Sequence, residues 1–316
     1  MRKTLLIVAV LLLVAMPFAF AAGGRQPAER SNLMVIITPG HENPFFRTAA
    51  EVAEARARAL GYDTRVHVHN DDPVLQSQLF DLAIADRAAA IILDNAGADV
   101  TIAAVQRARD AGIPSFLIDR EINALGVAMT QIVANNFQGA TLVAEYFVQR
   151  MGETGYWIEL VGRETDTNAH VRSDAFNDVI DQFPNMRRVA RQTANWDQAE
   201  AFTVMQTLIQ AHPNIRGVVC GNDTMAMGAS AALMAAGMHD VIVVGFDGSN
   251  DVRDAILRGE IAATGLQQIA AISELAVEQA DRYLRTGSTG HPERQLVDSI
   301  LINSANANRL DNFVLR

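Results

Sequence analysis

Asn43, Asn222 and Gln267 carry amides, which donate and accept hydrogen bonds at once. Asp119 and Arg120 stand side by side, and Asp94 and Asp247 each close a short apolar run. Phe45, Phe46, Trp196 and Phe246 bring aromatic faces to the same kind of position. A neutral polyhydroxylated ligand needs this mixture. Its hydroxyls each donate and accept, and the C–H faces of a sugar stack on aromatic rings. A site that pairs every hydroxyl also rejects analogues lacking one, because its own polar groups would be stranded.

Each residue has a plainer role open to it. One of Phe45 and Phe46 can serve as a first-turn core residue, whereas both facing inward runs against the divergence of adjacent helical positions. Asp119-Arg120 can be a solvated loop pair. Trp196 can cover a helix start, with Asp197 as its first-turn acid. His67 and His69, close to Asp71 and Asp72, invite a metal, but no further ligands for a closed site are evident, so no metal and no cofactor is expected. Cys220 lies in an apolar run and reads as packing.

The elements that must position these groups alternate regularly. Strand patterns fall at 33–38, 64–69, 89–94, 114–119 and 126–132, separated at first by helical periods over 45–60, 73–87 and 99–111. The theme repeats, with strands at 156–162, 186–192, 215–221, 240–247 and 261–267 and helices around 170–183, 197–211, 223–236, 250–258 and 268–286. Continuous apolar strands between helices predict parallel sheets covered on both faces. The fold class is α/β: two doubly wound parallel-sheet lobes joined by a three-segment hinge, with the ligand cleft between them. The chemical residues follow the carboxyl ends of strands, where open α/β sheets bind ligands.

The first residues read as a secretory signal peptide: Arg2 and Lys3, an apolar run from Leu5 to Val14, then Ala19-Phe20-Ala21, with cleavage near Ala21 or Ala22. Export places the chain in the periplasm, yet Cys220 is the only cysteine, so no internal disulfide forms. The formal charge of −10 becomes about −12 once Arg2 and Lys3 are removed. A nucleic acid partner, which needs a basic footprint, does not fit. Lys3 is the sole lysine, so the mature chain has none for a Schiff base or a phosphate loop.

NPFF (Asn43–Phe46), LIDR (Leu117–Arg120), VANN (Val133–Asn136), GNDTMAMGA (Gly221–Ala229), VVGFDG (Val243–Gly248) and AATGLQ (Ala262–Gln267) occur in one order at sensible spacing. Together they resemble the periplasmic sugar-binding proteins of ABC importers, in the ribose-binding branch of the type I fold, over residues 33–303. LacI-type repressors share this core but carry a DNA-binding helix-turn-helix where this chain has its leader. The resemblance implies a 1–22 leader, a 23–32 linker, one lobe of 33–134 plus 268–294 and a second of 135–267 plus 295–316. It implies ligand contacts at Asn43, Phe45, Phe46, Asp119, Arg120, Asn222, Phe246, Asp247 and Gln267. Asp94 stands where the ribose binder has an amide, and Trp196 where a Phe is usual. His170 replaces a ligand-gripping Arg, Arg172 matches a neighbouring Arg, and His41 is a second unusual polar group. These departures point away from ribose to another pentose or a short sugar alcohol.

The implied protein is a monomeric, non-enzymatic receptor that delivers its sugar to an ABC permease, with a chemoreceptor as an additional partner. Two rivals belong to other classes. A glycosidase would use Asp119 and Asp247 as paired carboxylates, although Arg120 favours an ionised Asp119. A sensory receptor would dock its closed form on a sensor kinase.

Overall fold

In the computed structural model, which describes residues 31–316, two six-stranded sheets follow one another along the chain. The expected signal peptide and most of the expected linker lie outside the described residues. The first series comprises β1 (Leu33–Thr38), α1 (Pro44–Ala59), β2 (Asp63–Val68), α2 (Pro73–Ala85), β3 (Ala90–Leu93), α3 (Ile102–Asp110), β4 (Ser115–Ile118) and β5 (Thr130–Ala134). After α4 (Asn136–Met151) the second series follows: β6 (Gly155–Val161), α5 (Thr167–Ile180), β7 (Met186–Thr193), α6 (Gln198–Ala211), β8 (Ile215–Cys220), α7 (Asp223–Ala235), β9 (Ile242–Asp247), α8 (Asn250–Arg258) and β10 (Ala263–Leu266). The chain closes with α9 (Ile269–Thr286), β11 (Arg294–Val297), β12 (Ile300–Asn303) and a small hairpin of β13 (Leu310–Asp311) and β14 (Val314–Leu315).

The sheet orders are β11-β5-β4-β3-β1-β2 and β12-β10-β9-β8-β6-β7. Every pair is parallel except β10 with β12. Both sheets reverse their winding direction beside the first strand of the series. Those reversals, between β1 and β3 and between β6 and β8, are where doubly wound sheets open a crevice for a ligand. The strands β3, β4 and β10 are buried along their whole length, as strands of sheets covered by helices on both faces must be.

The chain passes between the sheets three times: at Asn135, at Gln267–Gln268 and at Asp298–Ser299. Two sequence expectations change here. The helix α4 was absent from the expected elements; its Ala140, Val143, Ala144 and Phe147 pack on the second sheet, and Asn135 caps its start. The last passage between the sheets also differs from the expected boundary. β11 pairs with β5 and β12 with β10, so the last passage falls after 297 rather than at 294/295. Asp298 and Ser299 break the run because the chain must change sheets there.

Candidate ligand-binding cavity

Helix starts build the site. Asn43 caps α1, Asp166 caps α5, Asn222 caps α7, and Trp196 precedes the Asp197 cap of α6. Each helix follows a strand, so its N-terminus lies at the sheet edge where the strands end, with backbone N–H groups directed there. The two such edges face one cavity, with about 240 Å³ of empty space where it opens to solvent, lined by residues from both series.

Ten sequence-predicted residues line it: Asn43, Phe45, Phe46, Asp119 and Arg120 on the first side, Arg172, Trp196, Asn222 and Asp247 on the second, and Gln267 at a passage between the sheets. Both Phe45 and Phe46 are inward, contrary to the expectation that adjacent rings diverge. They are 2% and 7% exposed. They meet edge to face at 5.6 Å, and Phe45 meets Phe313 edge to face at 5.5 Å. Phe46 lies under the Arg120 guanidinium, 4.9 Å from its ring centre. A residue of the C-terminal hairpin thus supplies the partner that lets both rings be buried.

Arg120 is 2% exposed and gathers carboxylates. Asp71 lies at 2.6 Å, Asp166 at 3.0 Å, Asp94 at 3.6 Å and Asp119 at 3.8 Å. Its Nη1 also donates to the Asn95 carbonyl. Arg172 is held differently. Its Nε donates to Asn136 Oδ1 at 2.7 Å and its Nη1 to the Gly221 carbonyl at 2.9 Å, while Asp247 is 3.5 Å away. The guanidinium lies 4.2 Å from the Phe246 ring centre and 5.4 Å from that of Trp196. Burial pushes the Asp247 carboxyl well above the usual range, while Arg172 and the amide of Gln267, 2.6 Å away, pull it back.

Backbone strain marks the same residues. Asp119, Trp196 and Asp247 have φ of 59°, 66° and 134°, a region side chains rarely adopt unless their surroundings compel it. The Trp196 indole donates to Asp166 Oδ2 at 3.1 Å. It lies over Gly162, where an added Cβ would sit 2.0 Å from the ring. Only glycine there leaves room for the indole.

Four predicted residues do not line the cavity. Asp94 lies behind Arg120, fully buried. Phe246 supports Arg172 from below. His41 bonds to Thr38 Oγ1 at 3.0 Å outside it. His170 is exposed, reaches the Glu164 carbonyl at 2.9 Å and faces a different, outer recess. The reason is helical. Asn168 and Arg172, four apart on α5, share the cavity face, and His170 lies two positions from each, about 200° round the helix. The departure from ribose inferred from His170 and His41 therefore has no footing in the cavity wall.

Sequence reasoning missed Asp166 and Asn168, which line the cavity, and Asp71 behind it. The signal was available: a capping Asp followed by Asn at the start of the helix that carries Arg172. Asn168 donates to the Asp119 carbonyl at 3.1 Å, joining the two sides. His69, once weighed with His67 as a metal ligand, is buried with both ring nitrogens engaged, by the Asp94 carbonyl and the Asp71 N–H.

Residues 34–289 match the periplasmic binding protein domain family. A D-apiose import binding protein of Paraburkholderia graminis is 62% identical over 289 residues, covering 92% of this chain and 93% of its own. A D-apiose import binding protein of Actinobacillus succinogenes is 56% identical over 304 residues, 96% of each chain. The crystal structure of an ABC transporter periplasmic solute binding protein from Actinobacillus succinogenes 130z with bound D-allose gives a TM-score of 0.82 at 26% identity, covering 87% of this chain and 99% of that one.

Proposed function

The chain belongs to the periplasmic binding protein family, and from that premise we propose that it captures D-apiose in the periplasm and hands it to the permease of an ABC importer. It is a binding protein and not an enzyme. The observation that carries the choice of sugar is 62% identity over nearly the whole chain to a protein of that name. Apiose is a pentose with a branched carbon skeleton, within the class expected from the residues.

The cavity suits such a ligand. Asn43, Asn222 and Gln267 offer amides, Asp119 and Asp247 carboxylates, Arg120 and Arg172 cationic donors, and Phe45, Phe46 and Trp196 aromatic walls. Gln267 Oε1 is buried and free of any hydrogen bond, an acceptor directed at no protein donor. Capture follows closure of two lobes, residues 33–134 with 268–297 and residues 135–267 with 298–316, about their three connections. Hinge closure round a ligand is a movement for which this family is itself a standard illustration. The leader ending near Ala21 or Ala22 exports the chain, which works as a monomer.

Thermal shift and titration calorimetry against D-apiose, D-ribose, D-allose, myo-inositol and glycerol test the proposal. D-apiose should raise the melting temperature most, by an amount growing with concentration, equivalent to about 2.7 kcal/mol at a hundredfold excess over Kd. A larger shift with any other of these sugars, or none with D-apiose, sinks it.

A further inference from the structure

Arg120 gathers more negative charge than it can neutralise. Asp71 approaches from the loop after β2, Asp94 from the end of β3, Asp119 from the end of β4, and Asp166 from across the cavity at the start of α5. Two further cations come near: Arg163 after β6 meets only Asp71 of the four, at 3.4 Å, and is partly exposed, and Arg172 on α5 acts on Asp119 from across the cavity while its ion pair is with Asp247. His69 adds no charge: its Nδ1 accepts from the Asp71 N–H, so its Nε2 holds the hydrogen given to the Asp94 carbonyl, and burial lowers its pKa to about 4. Asp94 has the weakest support of the four. It is 0% exposed, and neither of its oxygens accepts a hydrogen bond. Four carboxylates around one buried guanidinium cannot all stay ionised. Burial, then the neighbouring Asp119, pushes Asp94 well above the usual carboxylate range, and burial brings Asp119 to about 6 despite Arg120.

Three of the four acids belong to the first side of the cavity, and Asp166 joins them only when the sides meet. We propose that Asp94 and Asp119 share one proton in the closed cavity, Asp94 donating to Asp119, so that capture of the sugar takes up a proton from solvent. This rests on the function proposed above. The proton belongs to the pair as a unit. The sign follows from linkage: the closed state holds the proton more tightly than the open one, so affinity is greatest at low pH and falls as pH rises.

Calorimetry with D-apiose in phosphate and in Tris, buffers of different ionisation enthalpy, counts the proton. Wild type should take one up near pH 7, with affinity falling by up to about tenfold per pH unit. In Asp94→Asn the amide donates the same hydrogen bond to Asp119 without a proton to lose. It should take up one proton fewer than wild type, lose the matching fall of affinity with pH, and bind more tightly than wild type at pH 8; any contribution of the raised Asp247 carboxyl across the cavity is common to both proteins. Wild-type binding without proton uptake, or an Asp94→Asn affinity that still falls with pH as wild type does, overturns the inference. If D-apiose gives no heat with either protein, the functional reading has failed instead. The infrared carboxyl band of the sugar-free proteins, followed as pH falls from about 8 to about 4 so that the open pair gains its proton, then decides the proton assignment alone: a band of wild type that Asp94→Asn lacks supports it, and identical spectra for the two proteins overturn it.

Discussion

Two arginines, Arg120 and Arg172, face the cavity from opposite sides, equally buried and held by opposite means. Arg120 is ringed by four carboxylates and rests on one aromatic ring. Arg172 is held by an amide oxygen and a backbone carbonyl, approaches a single carboxylate at 3.5 Å, and is sandwiched between two rings. The first arrangement derives its cohesion from charge and stores excess negative charge. The second relies on neutral acceptors and ring faces, which satisfy a guanidinium without gathering anions. One site thus holds a cation whose removal strands many partners and a cation whose removal strands few.

Removing the guanidiniums one at a time should give the largest contrast. Arg120→Ala leaves four acids facing one another in a buried space, and should cost about 3–5 kcal/mol of stability, the usual penalty for breaking a buried ion pair. Arg172→Ala leaves Asp247 with its Gln267 hydrogen bond intact, and should cost about 2 kcal/mol, near that of losing charged hydrogen bonds. Urea unfolding of the sugar-free proteins measures both. An Arg172→Ala cost equal to or above that of Arg120→Ala would break the comparison.

Gly162→Ala sharpens it on the aromatic side. The new methyl must displace the Trp196 indole, loosening one ring of the Arg172 sandwich and the Asp166 bond to its Nε1. Overpacking of this kind costs about 1–3 kcal/mol. D-apiose affinity should fall with it, and indole fluorescence should shift. Unchanged fluorescence and affinity would mean that Trp196 does not form the wall. The smallest effect belongs to His170→Arg, an exposed change outside both constellations. It should move stability by no more than about 0.5 kcal/mol and leave the ligand profile as it was. A switched sugar preference would return His170 to the site.

The site was legible where a motif combined chemistry with a strand end. NPFF, LIDR, GNDT and GFDG each place a polar group at the edge that α/β topology exposes, and most of their chemical residues line the cavity. Legibility failed along α5. The spacing of Asn168 and Arg172 was there to be read, but a one-dimensional match to a family position favoured His170, and helix phase decides facing more strictly than sequence neighbourhood does. The helix α4 was also missed, because Asn136, Gln138 and Gly139 at its start break the apolar period there.

By its sequence alone this protein was determined to be two series of strands and helices with amides, acids, arginines and rings at their turns, since periodicity and turn chemistry are local properties. That both Phe45 and Phe46 are buried depended on Phe313, more than 260 positions away. That Asp94 lost all contact with solvent depended on acids from four separate turns meeting one guanidinium. Such outcomes are decided only in the folded molecule, because desolvation and charge crowding depend on which distant segments share a space, and no local pattern specifies that.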